Sequence, residues 1–509
     1  MPSPLPYLII AILAGAGLGY FHFFAYKSLS GKVTNAYTGA PMVGVPVSIV
    51  AGGVVSNTVP VTSTVQVVAT TTPDGSFNFD KVPDMPVVSV ALDGFAPQTI
   101  EAGDKRTVEI QLVPNVLSGS VLTPDGNPVA GATIISGKTR VLTGPDGKYV
   151  LKGADDSVKL VVKAPGFLAN TVEVGKVVTQ NVTLQPFIAK AIYINGDSLA
   201  TPGTLQTLLD LVDRSELNAV VIDVKADNSG RVLYASGLQQ VQELGTADAV
   251  ISDLDGLLAS LKTRNIYTIA RLPVFWDQAV TKAKPEWALL SKKAPGQPWL
   301  SANGTRWANP YNTEVWDYNI AIAKEVASKG FNEVQLDFAY FPSSGDLEDI
   351  DYGPQAEGKK RTDAITGFLE KAYSELSPMG TYIGTNVLAF TPYVQDDMGV
   401  GQNFESVAAH TDFVCPYLYP SDYPDGFADF AHPAEHPFDI VAATLKRAAG
   451  RLTGSGAKVR PWLQDFSGKV VYDAPKVRQE IDAAEQNGAA GWMLWNFGNT
   501  YTEAALKGP

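Results

Sequence analysis

Eight short apolar runs alternate with helical stretches across residues 189–508, and this alternation restricts the fold more than any other feature. In order, the runs are KAIYI, NAVVIDV, IYTIARLPVF, NEVQLDF, TYIGTNVLAF, TDFVCPYLY, KVRPWLQDF and AGWMLWNF. Near-continuous apolar strands that alternate with helices are typical of a parallel sheet covered on both faces. The pattern therefore predicts a (β/α)8 TIM barrel over residues 188–509. Its strands are called barrel strands 1 to 8 below.

Polar and aromatic residues gather where these runs end. In (β/α)8 barrels, the loops after the carboxyl ends of the strands build the active site. The residues at these positions are Asp223, Lys225 and Asp227 (strand 2), Arg271 and Asp277 (strand 3), Asp337 and Tyr340 (strand 4), Asn386 (strand 5), Tyr417 and Tyr419 (strand 6), Gln464 and Asp465 (strand 7), and Trp495 and Asn496 (strand 8). One such residue is as often structural as functional, but the same arrangement on seven strands predicts a cleft.

Carboxylates and aromatic rings in one cleft suit a sugar, because rings cover its C–H face and acids bond its hydroxyls. Glycoside hydrolysis usually needs two carboxyl groups: one protonates the leaving oxygen, and the other attacks or activates water. We expect Asp337 to supply one of them in an open cleft. The candidates for the second are Asp465, Asp227 and Asp223. We expect the following residues to bind substrate: Lys225, Arg271, Tyr340, Asn386, Tyr417, Tyr419, Gln464, Trp495 and Asn496.

The sequence leaves open which carboxylate is the acid. Lys225 lies two residues from both Asp223 and Asp227, and a side chain on the same side would hold both ionised. Asp337 lies among aromatic residues, and desolvation there would raise its pKa and suit it to act as the acid. The spacing between the carboxyl groups would distinguish a retaining from an inverting enzyme.

Residues 29–187 contain an internal repeat. The segments SGKV, TTPDGSFNF and LDGFAPQ recur as SGSV, TGPDGKYVL and KAPGFLAN. Short alternating strands between P-D-G turns predict two β-sandwich modules, at residues 29–114 and 115–187. No catalytic cluster lies in either module. We expect both to be spacers, with a barrel that folds alone; glycan or protein binding by the modules is the alternative.

The N-terminus carries a run of about twenty residues without a formal charge, Tyr7 to Tyr26. This run predicts a membrane helix within an anchor or signal segment at residues 1–28; a buried globular helix is the alternative. No clear cleavage site follows it, which favours an uncleaved anchor over a removed signal peptide. We therefore expect a membrane-anchored protein that faces the cell envelope outside the cytoplasm, or a secreted protein if the segment is cleaved.

Composition excludes several classes of function. The net charge of -13 argues against nucleic-acid binding, which requires a basic face. One cysteine, Cys415, rules out an intrachain disulfide. The four histidines show no metal-ligand spacing, and no nucleophile elbow or dinucleotide loop is visible. We expect no metal and no cofactor.

Two resemblances add to this interpretation. The repeats resemble carboxypeptidase regulatory-like domains, which are transthyretin-type sandwiches. The stretches NAVVIDVKADNSG, FNEVQLDFAYFP, CPYLYPSDYP, RPWLQDF and GWMLWN resemble a glycoside hydrolase barrel family of uncharacterised activity that is distantly similar to α-amylases. The chain departs from that family's pattern at Tyr340, where arginine is usual, at Asn386, where aspartate is usual, and at Asp422, where histidine is common.

The similarity to α-amylases implies a role for Asp337, because their nucleophile is an aspartate at the end of barrel strand 4. Their general acid is a glutamate on strand 5, where this chain has Asn386, which cannot donate that proton. Their arginine two residues before the nucleophile is Gln335 here, and their strand 7 aspartate corresponds to Asp465. The resemblance implies hydrolysis of an envelope or matrix polysaccharide, with the second carboxyl group supplied from elsewhere. The alternatives are an inactive barrel that binds glycan or peptidoglycan, and a structural envelope protein.

Overall fold

The structure is a computed structural model that describes residues 27–50, 67–83, 85–153, 159–227 and 229–509. The predicted membrane helix at 7–26 lies outside these residues. Within them, no helix combines the length and the apolar character needed to cross a bilayer. Contacts divide the chain into two units. One contains 1–119, 149–159 and 173–181, and the other contains 120–148, 160–172 and 182–509.

The first repeat forms two β-sheets around one apolar core. One sheet has the order Ser76–Val82, Lys27–Asn35 and Thr107–Leu112. The other has the order Val67–Thr70, Pro46–Val50, Val87–Val90 and Gln98–Glu101, and all its pairs are antiparallel. Alternate residues of both sheets, such as Leu29, Phe77, Val47 and Val88, are buried together. This region is the β-rich module that the alternating pattern predicts.

The P-D-G turns explain why a glycine recurs at the same place in each repeat. Gly75 and Gly147 both have a positive φ, of 82° and 73°. A Cβ atom added at either glycine would lie 2.6 Å from a backbone oxygen, that of Val33 in the first repeat and that of Val121 in the second. The turn therefore excludes any side chain at this position.

The second repeat contains short strands at matching places: Val116–Leu122, Thr133–Ser136, Thr139–Leu142, Lys148–Lys152, Lys159–Lys163, Asn170–Glu173 and Val182–Thr183. Thr139–Leu142, Thr133–Ser136, Lys159–Lys163 and Asn170–Glu173 form one four-stranded sheet in that order. The division between the two units passes through this repeat. The predicted module boundaries and the resemblance to carboxypeptidase regulatory-like domains stay predictions.

The C-terminal region is a closed barrel of eight parallel strands, which confirms the main prediction. Barrel strands 1 to 8 are Ala189–Ile194, Ala219–Asp223, Tyr267–Pro273, Glu333–Asp337, Tyr382–Val387, Phe413–Leu418, Lys458–Val459 with Trp462–Gln464, and Gly491–Trp495. Each pairs with its neighbours in sequence order, and strand 1 pairs with strand 8. Strand 7 is in two pieces because Pro461 has no N–H to donate.

Helices surround the barrel between its strands. They are Gly196–Ala200, Pro202–Asp213, Gln239–Leu244, Leu254–Thr263, Gln278–Ala283, Thr313–Lys329, Arg361–Leu376, Phe404–Ala409, Pro437–Arg451 and Ala474–Gln486. Short strands at Val232–Tyr234, Ala247–Ile251, Leu290–Ser291 and Ile350–Asp351 lie in the loops. Asn312 accepts a hydrogen bond from the backbone N–H of Glu314 and so caps the longest helix among the described residues, Thr313–Lys329, which is followed by Gly330 in the left-handed region.

The N-terminal end of the barrel contains two buried ion pairs. Lys163, from the segment 160–172, donates to Asp412 at 2.7 Å and also to Ser377 and to the carbonyl oxygen of Thr381. Arg460 donates to Glu333 inside the barrel at 2.5 Å. Part of the second repeat thus clusters with the barrel, a contact that the predicted spacer role does not include.

Candidate active site

One guanidinium group joins three carboxylates at the C-terminal end of the barrel. Arg271 donates from Nε to Asp337 at 2.6 Å, from Nη1 to Asp223 at 2.8 Å and from Nη2 to Asp227 at 3.2 Å. Arg271 is only 2% exposed and Asp337 only 1%. These four residues, called the arginine cluster below, were all predicted site residues, and the structure brings them together.

The strand register explains how they meet. Arg271 on strand 3 lies opposite Asp223 on strand 2 and opposite Gln335 on strand 4. Register-matched residues of neighbouring strands point to the same face of the sheet, and Asp337, two residues after Gln335, points to that face as well. Gln335 stands where the resemblance to α-amylases implies an arginine, and that correspondence stays a prediction. The guanidinium in contact with the strand 4 aspartate comes from Arg271 on strand 3.

Asp337 is held by three donors. Arg271 donates to Oδ2, while the Tyr417 hydroxyl and the backbone N–H of Phe338 donate to Oδ1. Both oxygens therefore accept hydrogen bonds. Phe338 has a φ of 48°, a strained conformation for a bulky residue, and this backbone places its N–H on Asp337. The prediction of an open cleft around Asp337 is wrong for this conformation, because Asp337 is buried and its oxygens are bonded to the Tyr417 hydroxyl and the Arg271 guanidinium.

Asp223 differs from Asp337 in its environment. It accepts from Arg271 and, at 2.5 Å, from the Tyr193 hydroxyl. The pKa of Asp223 is raised to about 6. Burial is the main cause and the charge of Asp227 adds to it, while Arg271 opposes the shift. Asp223 is therefore the member of the cluster suited to keep a proton near neutral pH.

The sequence analysis did not identify Tyr193. It lies on strand 1, the only barrel strand without a predicted site residue. Its position would have revealed it, because Tyr193 lies near the end of barrel strand 1, one residue before the strand ends. The ring stacks on Trp495 with centroids 4.2 Å apart. The guanidinium of Arg271 lies 5.1 Å from the Trp495 ring centroid and 5.5 Å from that of Tyr193. Aromatic rings therefore cover the cation on one side.

A second group of aromatic residues lies beside the arginine cluster, and Tyr340 was its only predicted member. Trp276 and Trp307 stack with centroids 6.1 Å apart, and both contact Phe338. Tyr340, a predicted residue, contacts Trp307 and Phe338. The two tryptophans lie on the loop that follows strand 3. Because they are far from Asp337 in the sequence, the sequence pattern did not place them in the same site.

Asp227 is the outermost carboxylate of the cluster. Its side chain is 26% exposed, whereas those of Asp223 and Asp337 are almost fully covered. A group approaching from solvent would therefore meet Asp227 before the other two acids.

Lys225 does not hold Asp223 and Asp227 as expected. It forms a fully buried ion pair with Asp277 at 2.7 Å and donates to Asn319 at the same distance. The chain bends after Asp223, so the strand alternation that would have placed all three side chains on one side ends there. Asp277 also accepts from the backbone N–H of Val280 and caps a helix. Arg271 therefore makes the contacts with Asp223 and Asp227 that the sequence suggested for Lys225.

Other predicted residues lie near this end of the barrel with partners of their own. Asp465 accepts from the backbone N–H and hydroxyl of Thr502, and no hydrogen bond joins it to Arg271. Gln464 donates to the Ser421 hydroxyl and to the carbonyl oxygen of Phe466, and accepts from the backbone N–H of Ser421. Asn496 donates to the carbonyl oxygens of Asp465 and Thr500 and accepts from the backbone N–H of Gly498.

Asn386 accepts from the Trp462 indole N–H, while its buried Nδ2 atom has no protein partner. Tyr419 lies against Tyr417 with ring centroids 5.9 Å apart. Across the residues that the structure describes, no group of His, Cys, Asp and Glu side chains is arranged to hold a metal ion. The predicted absence of a metal stays a prediction.

Comparison with known proteins now gives the family. Residues 191–501 match the family described as "Putative glycosyl hydrolase domain". The chain belongs to this family. The match covers more than half of the chain and nearly the whole barrel, with every member of the arginine cluster inside it. No curated protein matches the chain. The finer resemblance to α-amylases stays a prediction.

Solved structures include several similar chains. A hypothetical protein from Ruminiclostridium thermocellum has 33% identity and a TM-score of 0.35, over 38% of this chain and 96% of that one. The PgaB (BpsB) glycoside hydrolase domain from Bordetella bronchiseptica has 15% identity and a TM-score of 0.46, over 61% of this chain and 94% of its own. A chitobiase from Flavobacterium johnsoniae has 11% identity and a TM-score of 0.42, over 74% of this chain and 55% of its own.

Proposed function

We propose that the barrel is a glycoside hydrolase that acts on a polysaccharide, with the arginine cluster as its catalytic centre. The observation that carries the proposal is that three carboxylates share one guanidinium at the C-terminal end of the barrel. One cation cannot neutralise three acids, so the cluster has an excess of negative charge. Glycoside hydrolysis passes through an oxocarbenium-like state, which such an excess stabilises.

The environment of each acid suggests its role. Both acids accept at both oxygens, but Asp337 has three donors, including a backbone N–H, which suits the carboxylate that attacks the sugar or activates water. Asp223, with its pKa near 6, suits the group that protonates the leaving oxygen. Because Arg271 contacts both acids, the proposal requires its guanidinium to move away from them when substrate binds. In hydrolysis, one C–O bond of the glycoside breaks, and water supplies the hydroxyl and the proton of the two products.

A second candidate function is glycan binding without cleavage. Asp337 is 1% exposed in the conformation described, and Asn386 occupies the position of the strand 5 acid. A barrel without catalytic activity could still bind sugar through this cluster. The two functions differ in whether products are released.

The location is part of the same proposal. The uncharged run at 7–26 supports a membrane anchor with the remaining chain outside the cytoplasm. Protease added to intact spheroplasts should then digest the barrel, whereas protection until the membrane is lysed would contradict this placement.

The experiment that tests the enzymatic function measures new reducing ends. The full chain is incubated with glycol chitin, hydroxyethyl cellulose, soluble starch and peptidoglycan glycan strands. We expect release from at least one of them, and a loss of about 10³-fold or more in Asp337→Asn, since the ionisable group acts only in the transition state.

Asp346→Asn is the matched control. Asp346 is an aspartate in the loop that follows Asp337, it is paired with Lys293, and it lies on the surface. This variant should keep wild-type turnover. No release from any polysaccharide, together with retained binding, would establish the binding function instead.

A further inference from the structure

The two most exposed large apolar side chains among the described residues lie at the same end of the barrel as the arginine cluster. Val471 is 77% exposed and follows strand 7, and Phe497 is 71% exposed and follows strand 8. Strands 7 and 8 are neighbours. A single exposed apolar residue is ordinary on a protein surface. Phe497 differs from such a residue in how its loop is held and in what the loop is attached to.

The backbone around Phe497 is firmly held. The Asn195 side chain donates to the carbonyl oxygen of Phe497 at 2.7 Å. Asn499 donates to the carbonyl oxygen of Tyr193 at 2.9 Å and accepts from the backbone N–H of Asn195 at the same distance. Asn499 has a φ of 50°, a conformation that asparagine tolerates better than most residues. The phenyl ring is therefore presented to solvent by a fixed loop.

This loop is continuous with the arginine cluster. Phe497 lies two residues after Trp495, whose ring stacks on Tyr193 and lies over Arg271. Tyr193 in turn bonds to Asp223. The loop is thus attached to strand 1 at the residue that contacts the proposed acid. A glycan chain that placed one sugar at Asp223 and Asp337 would pass this rim when it extends over strands 8 and 1.

We propose that Phe497 is a stacking platform for a second pyranose unit of the bound polysaccharide. The proposal rests on the proposed function, because it assumes that the arginine cluster holds the first unit. A pyranose presents a face of C–H groups that packs on an aromatic ring. The polysaccharide is one without carboxylate or sulfate groups, because the excess of carboxylates repels anions.

Binding is measured apart from catalysis, in the Asp337→Asn background. Native gels contain glycol chitin, hydroxyethyl cellulose or soluble starch, and alginate serves as the anionic comparison. We expect at least one of the three uncharged polymers to retard the protein, and alginate not to. Adding Phe497→Ala should weaken that retardation about tenfold, as expected for the loss of one stacking contact. Phe497→Trp should preserve it.

Val471→Ala is the matched control, because Val471 lies at the same end with similar exposure and has no ring to stack. It should leave retardation unchanged. Equal retardation with and without the Phe497 ring would overturn the inference, and so would no retardation by any of the three uncharged polymers. If product release does not depend on Phe497, the platform inference fails but the hydrolase proposal stands. If retardation depends on Phe497 but the wild type releases no product, the hydrolase proposal fails but the platform inference stands.

Discussion

The two ends of the barrel contain buried charges in opposite arrangements. At the N-terminal end, Lys163 is paired with Asp412 and Arg460 with Glu333, so that each cation has one acid. At the C-terminal end, Arg271 serves three acids. Both sets are buried, apart from the partly exposed Asp227 of the arginine cluster. The main difference between the two ends lies in the balance of charge.

This contrast separates structural charges from functional ones. A buried pair with matched charges and satisfied hydrogen bonds is costly to break, because either partner alone is left uncompensated. An excess of like charges in one buried cluster opposes folding and is retained where function requires it. We therefore expect substitutions in the pairs at the N-terminal end to lower stability, and substitutions of acids in the arginine cluster to leave stability nearly unchanged or to raise it.

The largest expected effect on stability is at the N-terminal end. Lys163→Met leaves the buried Asp412 without its cation, which should lower the free energy of unfolding by about 3–5 kcal/mol. Urea unfolding of the full chain, followed by tryptophan fluorescence, measures this change. The double variant Lys163→Met/Asp412→Asn is the control and should recover part of the loss. A single variant as stable as the wild type would show that the pair does not hold the segment 160–172 to the barrel.

An effect of about 3 kcal/mol or less is expected from Asp223. The folded protein holds this proton up to about pH 6, whereas an unperturbed aspartate releases it near 3.8. Since the folded state binds the proton more tightly, Asp223 should make the free energy of unfolding fall as pH rises from about 4 to 6. Asp223→Asn should remove that fall and be more stable than the wild type at pH 7. An unchanged pH profile between the two proteins would contradict the assignment.

Much of this organisation was readable from the sequence. The eight apolar runs predicted the barrel, and the C-terminal rule for such barrels predicted Asp223, Arg271 and Asp337 as site residues. The P-D-G turns and alternating strands predicted β-rich modules. These features depend on local pattern, which one sequence contains in full.

The parts that were wrong or missed depend on three-dimensional neighbours. Lys225 turns to Asp277 because the chain bends after Asp223, and no pattern in the sequence records that bend. Trp276 and Trp307 reach Phe338 through a long loop. The closure of Arg271 over Asp337 depends on register between strands 3 and 4, which spacing along the chain does not fix.

The most direct test of the central claim is the free energy of unfolding of Asp337→Asn, measured by urea at pH 7 beside Glu333→Gln. Both acids lie on barrel strand 4, both are buried, and both contact an arginine, at opposite ends of the barrel. The charge balance predicts that Asp337→Asn stays within about 1 kcal/mol of the wild type, because Arg271 keeps two acids, while Glu333→Gln loses about 3–5 kcal/mol. Equal losses in both variants would contradict it, and the acids at the C-terminal end would then be structural.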